Sequence, residues 1–283
     1  MNPAVQTFSH LLLQQTRATE LILNNISSQN GPYSRLGTQA ESDLSNRENV
    51  PLEDLMRAQQ DIVLTALAAV DHLSAFASRL LGGAMGGWAL GSLARGCAEA
   101  YGRAWFLLEA ESGLDLFLRF MPLRIKSASY LAGEEYREYE ADWAEVAKDH
   151  MNKWSAALGQ FETADNKITP ISPPNLAKRL LRIDFGVRAN SWYASMAAMS
   201  HSESTAIDRM ANISIHGDHA LVMCSNGLRF DLEQFLFQPL TVQAKVLIRL
   251  FEYFGVPESD ARVWREKTVG LQKFANGQWH AGT

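Results

Sequence analysis

The chain has 283 residues, with 26 Lys plus Arg set against 31 Asp plus Glu and a formal net charge of -5. A chain of this length, 47% apolar, buries a core without disulfides or a structural metal. A pI near 5.8 excludes the global basicity that usually accompanies binding to DNA. The two cysteines, Cys97 and Cys224, form no CxxC pair, which predicts a reducing, cytoplasmic location. No basic segment precedes an apolar core at the N-terminus, so no secretory leader is expected. The most apolar stretch, 73–94, is interrupted by Arg79 and thinned by glycines, and no membrane span is expected there.

In chain order, Val5, Phe8, Leu11, Leu12, Leu21, Ile22 and Ile26 recur at helical spacing and predict an amphipathic helix over 4–26. Residues 28–50 are polar and read as a linker, so 1–50 forms an N-terminal arm ahead of a bundle domain over 51–283. Pro51 suits the first position of a long helix whose apolar stripe is Leu52, Leu55, Ile62, Leu67, Val70, Leu73, Phe76 and Leu80 and which stops at Gly82-Gly83. The helix from about Trp88 to Ala110 is apolar nearly all round, which places it at the centre of a bundle. A shorter helix follows Gly113 and is expected to stop near Pro122. Residues 133–162 read as a long helix whose buried side is marked by Tyr136, Tyr139, Trp143, Val146 and Trp154. The proline-rich segment 163–175 reads as a crossover linker within the bundle. Helices follow over 176–183 and from 186 to 200. Gly217-Asp218 between two β-prone runs predicts a short β-hairpin near 211–224. Two helices, near 239–254 and 257–274, end a mostly α helical bundle.

On the central helix Arg95, Glu99 and Arg103 stand at successive i,i+4 positions and share one side. Charges on an otherwise apolar helix must be paired, either as a structural network or as a polar site within the bundle. His201 follows a small-residue helix, where the helix C-terminus favours its protonated form and where it could serve as acid or base. Combining Arg95, Glu99 and His201 gives a candidate catalytic set, with Trp105, Tyr193 and Ser200 lining a ligand pocket. Asp71-His72 reads as a hydrogen-bonded pair in the core. His216 and His219 flank the predicted turn but lack the ligand count of a zinc site, and no metal or cofactor is expected. The chain contains no HExxH, ExxH, GxGxxG or GxSxG; whether it catalyses anything is left open.

The segments DHLSAF (71–76), SLARGCAEAYGRAWFLLEAESG (92–113) and WYASMAAMSHSE (192–203) resemble uncharacterised bacterial helical-bundle proteins of the HEPN-like kind, over about residues 60–220. Those families pair an Arg…Glu helix with a later Tyr…Ser-His helix end. Their ribonuclease members place a His four to six residues after an Arg and cleave RNA without metal. Arg209 and His216 are the pair that the resemblance implies, with Met210 where a polar residue is expected. Three functions follow as expectations. The first is a cytoplasmic bundle that binds a small ligand or protein partner through an internal polar site, with Arg95 taking an anionic group. The second is a HEPN-like protein of toxin or defence type that cleaves or binds RNA. The third is an interaction module without chemistry, compatible with a homo-oligomer.

Overall fold

The computed structural model describes residues 3–28, 37–46, 49–82, 88–133, 141–161, 171–201, 211–216, 219–224 and 235–280. Among these the fold is a helical bundle of ten helices: α1 (Pro3–Ser27), α2 (Gln39–Ser45), α3 (Leu52–Leu81), α4 (Trp88–Leu108), α5 (Gly113–Leu131), α6 (Ala141–Gly159), α7 (Pro173–Phe185), α8 (Arg188–Ser200), α9 (Phe237–Phe254) and α10 (Glu258–His280). Between α8 and α9, β1 (Ala211–His216) and β2 (His219–Cys224) pair antiparallel, from Ala211 opposite Cys224 to His216 opposite His219.

Helix α4 is the hub. It packs on α3, α7, α8 and α9, with Leu90, Ala94, Cys97, Ala98, Tyr101, Ala104 and Leu107 buried. Its glycines set the distance to its neighbours. A Cβ at Gly91 would lie 2.6 Å from the Met199 Cβ of α8, one at Gly96 2.5 Å from the His72 Nε2 of α3, and one at Gly102 2.7 Å from the Ala177 backbone N of α7. At Gly91 and Gly102 the obstacle is a Cβ or backbone that cannot turn aside, so glycine lets α8 and α7 approach α4 closely, while Gly96 makes room for the His72 ring.

Helix α1 is a member of the bundle rather than part of a detached arm over 1–50. Val5, Phe8, Leu12, Ile22 and Leu23 are buried in the common core, against α3 and α10. The Trp264 indole donates to Thr19 Oγ1 at 3.1 Å, and Gln243 donates to Gln15 Oε1 at 3.3 Å. The polar stretch 28–50 also holds a helix that polarity alone does not reveal. Thr38 caps α2 by accepting from the Glu41 amide, and Asp43 accepts from the buried Tyr253 hydroxyl at 2.7 Å.

Two further expectations are corrected. Helix α5 runs through Pro122 to Leu131 instead of stopping at the proline. Pro122 removes one backbone donor, but Leu116, Phe117, Phe120, Met121 and Leu123 are buried on both sides of it, and that packing carries the helix on. In α6, Trp143 is 63% exposed and Val146 is also exposed. The stripe that faces the core is Ala144, Ala147, Trp154 and Leu158, one residue out of phase with Trp143, and adjacent helical positions point about 100° apart. Tyr136, Tyr139 and most of the linker 163–175 lie outside the described residues; the end of that linker, from Pro173, is already α7. By length and composition α3 could cross a membrane; in the bundle its apolar face, from Leu55 to Leu80, is buried against α1 and α4.

Candidate functional site

The charged row on α4 divides. Arg103 turns to α3, where it donates to both oxygens of Asp61, at 2.7 and 3.1 Å. Arg95 and Glu99 turn to α8. Arg95 Nε donates to Glu99 Oε1 at 2.8 Å, and each side chain keeps 23% of its surface exposed. The Tyr193 hydroxyl donates to the same Glu99 oxygen. Arg95 Nη1 lies 2.9 Å from His201 Nε2. An arginine N–H only donates, so Nε2 accepts, and the imidazole proton sits on Nδ1.

Local structure explains each placement. Arg95 and Glu99 are one turn apart on α4. Tyr193 projects from the buried side of α8, and Ala189, Met196 and Met199 share that side. His201 is the residue that ends α8, with its backbone N–H bonded to Ala197 O at 3.0 Å. The helix C-terminus carries partial negative charge, which favours a guanidinium beside it. The hydrogen bond to Glu99 holds the Arg95 pKa above its ordinary value. Burial, followed by the hydrogen bond to Glu99, pushes the Tyr193 phenol up to about 12. At neutral pH the set is therefore a guanidinium, a neutral phenol that donates, and an exposed histidine.

Two residues join from other helices. The Lys178 ammonium of α7 lies 5.2 Å from the centre of the Tyr193 ring, and the Arg95 guanidinium lies 5.9 Å from it. His72 of α3 rests on Gly96, between Arg95 and Glu99 in sequence. Burial lowers its pKa, opposed by the charges of Asp71 and Glu99. Asp71 is exposed, so the pair is not a core hydrogen bond; Asp71 acts on its neighbour through charge alone.

The structure thus brings together Arg95, Glu99, His201 and Tyr193. It leaves out Ser200, whose hydroxyl donates back along α8 to Met196 O at 2.9 Å. It also leaves out Trp105, ten residues along α4 from Arg95 and therefore about 15 Å away by helical rise; the buried Trp105 Nε1 has no hydrogen-bond partner among the described residues. Arg209 and the His216 side chain lie outside the described residues. No group of three or more His, Cys, Asp or Glu able to hold a metal occurs among the described residues. The sequence reading does not single out Asp61 or Lys178, and it takes His72 only as a partner of Asp71. An acid in the middle of an apolar helix was the available signal for Asp61, and Lys178 had none. No family model, curated protein or solved structure matches the chain.

Proposed function

We propose that the protein binds a small ligand through an anionic group seated against the guanidinium of Arg95, with His201 holding that guanidinium from the end of α8. One observation carries this reading: two partners orient Arg95, Glu99 at Nε and His201 at Nη1, yet its side chain stays partly exposed. A cation held in a fixed pose at low exposure is pre-organised for a charge-assisted hydrogen bond. Glu99 is then a positioning residue, and Tyr193 holds Glu99. The hairpin over 211–224 enters this reading as an appendage of the bundle after α8, supported by the antiparallel backbone pairing of its two strands.

The test is native mass spectrometry of freshly purified protein, followed by calorimetric titration with a panel of carboxylates and phosphates. Arg95→Met should abolish binding and leave the fold intact by circular dichroism. If Arg95→Met lowers thermal stability while anion binding is unchanged, the pair is a structural network and the reading fails. A retained RNA fragment, or RNA degradation lost on His216→Ala and kept on His201→Ala, would move the assignment to the ribonuclease reading. A bare subunit mass in a clean oligomer, with no binding in the panel, would favour an interaction module.

A further inference from the structure

We infer that the outer face of α6 is a docking surface for a second copy of the chain, and that two α6 helices meet there antiparallel about a two-fold axis. Helix α6 lies at the edge of the bundle: its one substantial neighbour among the described elements is α5. Ala144, Ala147, Trp154 and Leu158 face inward. Alongside them runs a strip made of Trp143, Val146, His150 and Lys153, all exposed and within about 80° of arc at ~100° per residue. Trp143 leaves 63% of its surface in water and Val146 46%. Large apolar residues side by side on an outer helix are what a partner helix covers. Their spacing with His150 and Lys153 is that of alternate a and d positions in a helix–helix seam.

That spacing reads the same from either end, as a two-fold contact requires. In an antiparallel pair centred on Lys148, Trp143 of one copy lies opposite Lys153 of the other, and Val146 lies opposite His150. An ammonium over an indole face is attracted to it. Charge selects this direction. The N-terminal end of the strip carries Asp142, exposed beside Trp143. The C-terminal end carries Lys153, and behind it Arg124 of α5, whose guanidinium lies 4.8 Å from the centre of the Trp154 ring. Parallel pairing would set acid against acid and cation against cation, whereas antiparallel pairing brings Asp142 of each copy beside Lys153 of the other. Asp149 comes near its own copy at the axis, in an exposed position where salt screens the repulsion. A seam about 15 Å long by helical rise belongs with small interfaces, so the dimer is weak and forms at high protein concentration.

The experiment is sedimentation equilibrium of the full chain over a concentration series. Wild type should pass from monomer to dimer, and less readily at high salt. Trp143→Ala, Asp142→Lys and Lys153→Glu should each weaken the dimer about tenfold or more, and exposure of all three side chains leaves the fold intact by circular dichroism. The double variant Asp142→Lys with Lys153→Glu should restore the dimer, because it exchanges the two charges without changing their pairing. A monomer throughout the series overturns the proposal. So does a dimer that Trp143→Ala leaves unchanged, which would use another face. Single variants that weaken the dimer without recovery in the double variant overturn the antiparallel register.

Discussion

Replacing Gly102 with alanine tests the claim that glycine sets the spacing around α4. The added Cβ would lie 2.7 Å from Ala177 N and from the Leu176 carbonyl carbon, and 2.9 Å from Ala177 Cα. The shortfall against ordinary contact is about 0.7 Å. The obstacle is the α7 backbone, which cannot rotate away, so the whole helix must shift. Overpacking of this kind costs ~1–3 kcal/mol, and a rigid obstacle puts Gly102→Ala at the upper end. The better helix propensity of alanine returns about 1 kcal/mol, leaving a loss of about 2 kcal/mol and, at ~2–4 °C per kcal/mol for a large domain, a fall in Tm of about 4–8 °C. Gly270→Ala on α10 is the control, because its Cβ would meet nothing within 4 Å. It should gain about 1 kcal/mol from propensity alone and raise Tm by about 2–4 °C. Differential scanning calorimetry on the two variants gives opposite signs if the reasoning holds. A Gly102→Ala protein as stable as Gly270→Ala would mean that α4 and α7 do not cross at backbone contact.

Arg103→Met should destabilise the protein by about 1–2 kcal/mol, because it breaks a two-oxygen ion pair with Asp61, while leaving anion binding untouched; chemical denaturation and titration of the same sample separate the two. Ultraviolet titration of wild type against Tyr193→Phe should place the Tyr193 phenol at about 12, and a phenol ionising near its ordinary value of about 10 would contradict its burial beside Glu99. Burial holds the Asp43 carboxyl above its ordinary value, opposed by Tyr253 and Arg249. The native state therefore binds that proton more tightly than the unfolded chain does. Its stabilising contribution is present at pH values below the unfolded pKa and is lost as pH rises through the folded one. Asp43→Asn should flatten that part of the stability profile, and an unchanged profile would refute the assignment. In a Cys224→Ser background the Cys97 thiol, fully buried and pushed up by burial, should resist a thiol reagent at pH 8 until the protein is unfolded.

The helices were legible where one face alone decides their position. The stripes of α1 and α3 and the all-round apolar α4 could be read directly, because apolar periodicity reports burial. Trp143 shows the limit. A large aromatic reads as a core anchor, but the residues that face the core on α6 are mostly alanines, Ala144 and Ala147 among them, and small residues carry little sequence signal. Helix α2 was invisible for a related reason: its link to the bundle is polar, through Asp43 to Tyr253 and on to Gln59, which donates to the Tyr253 oxygen at 3.2 Å. Long-range polar pairing leaves no periodic trace.

The charged row on α4 shows how far a local rule reaches. Spacing correctly joined Arg95 to Glu99, since i,i+4 neighbours meet whatever surrounds them. The same spacing would join Glu99 to Arg103, and there the tertiary structure prevails. Asp61 stands across the α3–α4 crossing and offers Arg103 two oxygens, a stronger claim than one turn of helix. That transfer is what gives Glu99 its role, because its Oε1 serves only Arg95 and Tyr193 among the described residues. A glutamate shared with Arg103 would draw the carboxylate along α4, away from α8. The structural ion pair to α3 and the candidate site on α8 are thus two halves of one arrangement. Asp61→Asn provides a direct measurement of the link: it should weaken anion binding at Arg95 without touching it, by freeing Arg103 to compete for Glu99. An Asp61→Asn protein that loses stability but binds the anion as wild type does would show the two halves to be independent.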